Sequence, residues 1–124
     1  MYLSACNPTK TTANGYVVLT FTGGGNCLWA TPAGVTSIDL LAVGGGGGGS
    51  GNLGGGGGGG QVVYQTGLVP IGTGIITVGV GGVGGVGDYS VATTNGKTGV
   101  RSGLVSSTLN QVALGGSGGK GRLA

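Results

Sequence analysis

The chain has 124 residues, of which 36 are glycine and 3 are proline, with 6% charged side chains and a formal charge of +3. That length makes one domain, and low charge with positive mean hydropathy is the opposite of a disordered composition. Collagen is excluded too, because long uninterrupted proline-rich triplets are missing.

The charges also bound the chemistry. Lys10, Lys97, Arg101, Lys120 and Arg122 are scattered along the chain, without the basic stripe that nucleic-acid binding needs. There is no His and no Glu, and the two acids, Asp39 and Asp88, are far apart in sequence. No general acid–base pair or metal cluster is evident, and a nucleophilic cysteine would lack an activating base. The expectation is a protein that is not an enzyme, with no catalytic residue, no cofactor and no metal. No run of 18 apolar residues occurs, so no membrane span is expected. Residues 1–10 lack the basic and apolar regions of a secretory signal.

In chain order, residues 1–15 read as an N-terminal arm. Cys6 and Cys27 flank the first strand candidate. A bridge would close a loop of about twenty residues and contribute about 3 kcal/mol; two buried free thiols are the other reading, and compartment decides between them. Residues 16–21 alternate, with Val17, Leu19 and Phe21 on one face. A glycine turn follows, then a short returning strand at 27–30. Thr31 to Gly34 is a corner. The third strand, 37–43, is apolar on both sides from Leu40 onward, as a strand covered on both faces would be. Residues 61–66 and 74–78 give two more strands, with weaker candidates at 103–106 and 110–114. No segment carries a capped helical stripe.

Three glycine runs lie between these strands, at 44–60, 79–87 and 115–121. A flexible linker is the simplest reading of such composition, but spacing argues otherwise. Val80, Val83 and Val86 recur every third residue, a period of neither α-helix nor strand. It fits the extended threefold helix of polyproline II type, rising about 3.1 Å per residue without internal hydrogen bonds. The valines then form one apolar ridge, expected to face the core, while Ser117 and Lys120 form a polar ridge facing solvent. Bare glycine edges let neighbouring helices approach and bond to each other, which is the polyglycine II arrangement. Gly44, Gly45, Gly46, Gly57, Gly58, Gly81, Gly82, Gly84, Gly85, Gly118 and Gly119 are the expected packing positions. The first run, nearly free of side chains, suits the most crowded place. Nucleotide-binding glycine fingerprints fail for want of a following helix or a Gly-Lys-Ser/Thr end.

The fold class expected is therefore all-β: a small β-sandwich or sheet with packed polyglycine II-type helices and no α-helix of note. The single domain 1–124 divides into the arm 1–15, strands 16–43, glycine run 44–60, strands 61–78, the Gly-Gly-Val run 79–87, a loop with weak strands 88–114, and a glycine-rich tail 115–124. Asp88, Tyr89, Lys97 and Arg101 fall on that loop and are the expected surface contacts.

The corner Pro32-Ala33-Gly34-Val35-Thr36, the glycine burst from Gly44, and Ile75-Ile76-Thr77-Val78-Gly79-Val80-Gly81-Gly82 resemble the glycine-rich domain of phage tail-fibre and minor tail proteins, also found in bacterial surface proteins. The resemblance runs from Tyr16 to Gly87 and weakly to Gly121. It implies a β-sandwich with glycine excursions, a virion-tail or extracellular location, and attachment to a host surface. Partners implied are other copies of the chain, as in a trimer, other virion or surface proteins, and a host-cell glycan or protein. A self-assembling extracellular filament subunit or a capsid decoration protein is the alternative. Family members usually continue with more glycine after a segment like 115–121, so either a neighbouring copy closes the domain or the sequence is a fragment.

Overall fold

Asn14 and Gly15 both take positive φ, 51° and 82°, as the two central residues of a hairpin turn matched to strand twist must. They fold β1 (Thr9–Ala13) onto β2 (Tyr16–Thr20), with Ala13 opposite Tyr16 and Thr9 opposite Thr20. The computed structural model describes residues 3–70, 72–87 and 93–122. Six more strands follow: β3 (Gly25–Ala30), β4 (Ile38–Val43), β5 (Val62–Leu68), β6 (Thr73–Val78), β7 (Ser102–Val105) and β8 (Asn110–Ala113).

The protein is all-β, with no helix among the described residues. The strands form a four-stranded sheet of order β3-β6-β7-β8 and two separate hairpins, β1-β2 and β4-β5, all antiparallel. The β4-β5 hairpin approaches β7 and β8 and is joined to the end of β8 by Gln61 N–H on Leu114 C=O. The buried hydrophobic side chains among the described residues are Ala42 on β4, Ile76 on β6, Leu104 on β7 and Ala113 on β8.

Two expectations change here. The arm contains a strand, β1, and β2 pairs with it instead of returning onto β3. The Asn14-Gly15 turn is tight and has the φ signs a hairpin needs, whereas the glycine-rich bend after Phe21 leads to a different sheet. The cysteines are bridged: Cys6–Cys27 spans 21 residues of sequence. Beside it, Cys6 N–H donates to Leu28 C=O at 2.7 Å and Leu28 N–H to Ser4 C=O at 2.9 Å, which ties the base of the β1-β2 hairpin to the edge of the main sheet.

Five strands run straight into glycine. The strands β4, β6 and β8 continue into extended segments 44–51, 79–87 and 115–122, while segments 54–60 and 93–101 lead back into β5 and β7. Because the strands alternate in direction, so do the segments. Their mutual hydrogen bonds recur at every third residue. Gly44, Gly47 and Ser50 N–H donate to Gln61, Gly58 and Gly55 C=O; Gly45, Gly48 and Gly51 N–H donate to Val100, Lys97 and Thr94 C=O. Such bonding belongs to a threefold extended chain, since a pleated strand pairs at every second residue.

Segment 44–51 is the centre. Besides the bonds it donates, it accepts Gly82 and Gly85 N–H at Gly46 and Gly49 C=O, and Gly116 and Gly119 N–H at Gly45 and Gly48 C=O. It thus touches all four other segments, so the first half of the run 44–60 occupies the most crowded place, whereas the second half lies outside, with residues 54–59 exposed. The outer segments bond to one another around it: Gly58 N–H to Ser117 C=O at 2.8 Å, Gly96 N–H to Gly119 C=O at 2.9 Å, and Lys97 N–H to Val83 C=O at 2.8 Å.

The disulfide closes a loop of about twenty residues, which in the chain-entropy account is worth about 3 kcal/mol. The double substitution Cys6→Ala, Cys27→Ala should lower unfolding free energy by about that amount in urea titration, and unchanged stability would show the bridge to be dispensable.

Candidate functional site

Two surfaces are candidates, one built of backbone and one of apolar side chains. The backbone surface is the glycine lattice. None of its glycines before Gly87 in segments 44–51, 54–60 and 79–87, and none in 96–121, has positive φ, so glycine is not there for its left-handed conformations. It is there for proximity. A Cβ built on Gly44, Gly45, Gly57, Gly82, Gly85, Gly118 or Gly119 would fall within 3.0 Å of a neighbouring segment's carbonyl group, a separation that real Cβ atoms essentially never show.

Four expected packing positions behave differently. At Gly46, Gly58, Gly81 and Gly84 the nearest atoms to a built Cβ are at 3.7, 3.6, 3.5 and 3.5 Å, ordinary contact distances. These residues point to the outside of the lattice, so a methyl group fits. The valine ridge is a further correction. Val80, Val83 and Val86 are 53, 72 and 69% exposed, because inward positions on segment 79–87 are taken by Gly79, Gly82 and Gly85, each against a carbonyl of segment 93–101. A threefold chain packed this tightly has no inward room for an isopropyl group. Ser117 and Lys120 are exposed, as a polar ridge should be.

Segment 93–101 was missed as a lattice member. Thr93, Gly96, Gly99 and Ser102 are buried at every third residue, and that spacing of small residues was its readable signal. Lys97 and Arg101 stand exposed on its outer side. Asp88 and Tyr89 lie outside the described residues.

At the end remote from the strands, hydroxyl and amide side chains take over from glycine. Ser50 Oγ donates to Gly55 C=O at 3.1 Å, Thr94 Oγ1 accepts Val86 N–H at 2.7 Å, and Asn95 Oδ1 accepts Gly121 N–H at 2.7 Å. The turn between the first two segments is closed by Gly54 N–H on Gly51 C=O, with Leu53 at φ 62°. Its Asn52 and Leu53 are exposed, and Asn52 N–H reaches Gly87 C=O. The third segment ends at Gly87 and the fourth begins at Thr93 beside this turn, joined by Thr94 N–H on Val86 C=O.

The profile of the glycine-rich domain family matches residues 20–124. The chain belongs to that family. No curated protein and no solved structure matches it significantly. Within the glycine-rich domain seen here, the matched span takes in the glycine lattice, the main sheet and β4-β5, while β1 lies ahead of it.

The second surface is an open cleft of about 980 Å³ at the strand end. Its walls are β2 and β4, and Ile76 and Leu104 contribute to its floor. Among the described residues no three His, Cys, Asp or Glu side chains come together, so neither surface offers a metal-ligand set from them.

The lattice makes a sharp contrast testable. Gly82→Ala should cost several kcal/mol, in the range of severe overpacking, whereas Gly84→Ala and Val83→Thr should stay within about 1 kcal/mol of the parent. Thermal denaturation of the three variants checks this; equal melting temperatures would mean that the segments do not pack.

Proposed function

We propose that the chain is a non-enzymatic structural and attachment module, a tail-fibre or tail-tip domain on a virion surface, in which polyglycine II-type helices form a stiff block that presents its tip to a host cell. The observation that carries this reading is the geometry of the tip. The exposed Asn52-Leu53 turn, with Asn52 N–H on Gly87 C=O beside it, stands at the end of segments held by backbone bonds at every third residue. Loops on a rigid scaffold are where recognition residues are usually placed, since the scaffold fixes their position while leaving their sequence free. The hydroxyl-rich and amide-rich tip suits a polar partner such as a glycan or an extracellular protein face.

Membership of the glycine-rich domain family supports a structural role, and the likeness of the Pro32 corner and the glycine burst to tail-fibre and minor tail proteins motivates the virion setting. The alternative is an extracellular filament subunit or capsid decoration protein. It is favoured by the unpaired outer edges of the two hairpins, which are templates for further strand pairing.

The reading is tested in two steps. The chain should be found by mass spectrometry in purified phage particles, and its absence would sink the virion assignment. Leu53→Asp together with Asn52→Ala should cut adsorption to host cells about tenfold, the effect of losing about 1.4 kcal/mol of contact, with melting temperature unmoved. Full adsorption by that variant would remove the tip from the contact surface. Long polymers of the purified chain in negative stain would favour the filament instead.

A further inference from the structure

We propose that the open apolar pole of the molecule is an interface for a second copy of this chain, with the β1-β2 hairpin of each copy packing against the cleft of the other. This deepens the reading of the chain as a structural module by naming its nearest partner.

The first observation is area. A compact folded monomer of 11.5 kDa has an accessible surface of about 5,800 Å². The chain exposes 7654 Å², an excess of about 1,850 Å² over that expectation. A stable interface buries about 800 Å² on each partner, so the surplus is more than enough for one.

Part of the exposed apolar surface lies at the strand end. No Cα of the β1-β2 hairpin comes within 8 Å of a Cα in another strand, and Tyr16, Val17 and Val18 are 69, 58 and 42% exposed. An isolated two-stranded hairpin is marginal in water and needs a further layer to hold its form. The disulfide and the Ser4–Cys6 bonds anchor only its base.

Across the cleft, β4 has the same need. Its sequence reads as a strand covered on both faces, yet Leu41 and Val43 are 63 and 52% exposed, paired with equally bare Tyr64 and Val62 on β5. A contiguous apolar surface of this kind marks an interaction site in a soluble protein.

A second copy fits the requirement in chemistry as well as in area. Each molecule carries both a hairpin whose β2 strand exposes apolar side chains and an open apolar cleft of about 980 Å³, the condition for a reciprocal interface between identical chains. The strands around the cleft carry only Lys10 and Asp39 as charges, so little like-charge repulsion opposes the approach. The glycine lattice, at the opposite end, stays free to present its tip.

Sedimentation equilibrium of the purified full chain with its disulfide intact tests this without reference to any virion. The expected mass is twice 11.5 kDa, falling to one chain in the Val17→Lys, Leu41→Lys double variant, and a trimer overturns the reciprocal pairing. Gly56→Ser, at an open lattice position with nothing within 4 Å of a built Cβ, should leave the assembly intact. A parent chain that is monomeric at about 100 μM, a concentration that populates even weak dimers, overturns the proposal. So does an assembly that persists in a double variant with parental circular dichroism. Should the double variant fail to fold, hydrogen exchange of the parent decides: protection of β2 and β4 that rises with concentration supports the interface, and protection independent of concentration refutes it.

Discussion

The missing Cβ at every contact position of the lattice is the constraint on which the structure depends. It lets a carbonyl oxygen of one segment rest against the Cα of the next, and that distance in turn lets amides and carbonyls of different segments meet. Buried backbone polar groups must be bonded, and here the bonds come from neighbours in several directions instead of one sheet plane. The cost is high, since fixing a residue's backbone takes about 1–2 kcal/mol and glycine stands at the upper end. A net hydrogen bond returns about 1 kcal/mol, so the lattice does not sustain itself on bonding alone. The strands supply the remainder. By pairing β4 with β5 and β6 with β7 and β8, they deliver each segment in register and already aligned.

The same constraint explains which parts of the sequence were legible. Runs of apolar and β-branched residues located β2 through β8, although on β2, β4 and β5 many of those side chains face outward. The strand β1 did not show, since Thr9-Lys10-Thr11-Thr12-Ala13 has no apolar face; only the Asn14-Gly15 turn marked it. The valine ridge was legible as a period and misleading as to direction. In a lattice that excludes Cβ from every contact, the side chains are forced outward, so hydrophobic residues mark the surface and glycines mark the interior. Thr93, Gly96, Gly99 and Ser102 carry that inverted signal in a segment with few glycines, which is why composition passed over it. Which segments meet at the tip was not legible, because backbone contacts carry no sequence code for partner choice. The state of Cys6 and Cys27 turned on proximity in space, which spacing along the chain does not determine.

The two ends of the molecule thus follow opposite physics. At the strand end, side chains do the packing, and the buried hydrophobic residues among those described are Ala42, Ile76, Leu104 and Ala113. At the lattice end, side chains are excluded from the packing and serve only to close the tip. The Cys6–Cys27 bridge belongs to the first kind and compensates for a core that is small for the chain's length.

Segment 44–51, enclosed by four others, has a consequence for resistance to proteolysis. A protease takes its substrate as a detached extended strand, with side chains seated in pockets and backbone amides free to bond to the enzyme. This segment has almost no side chains to seat, and most of its amides are already engaged. Peeling it away means breaking contacts with all of its neighbours at once, so local opening becomes nearly global unfolding. A stretch of chain that looks like the most cleavable linker in the sequence is, once folded, a poor meal.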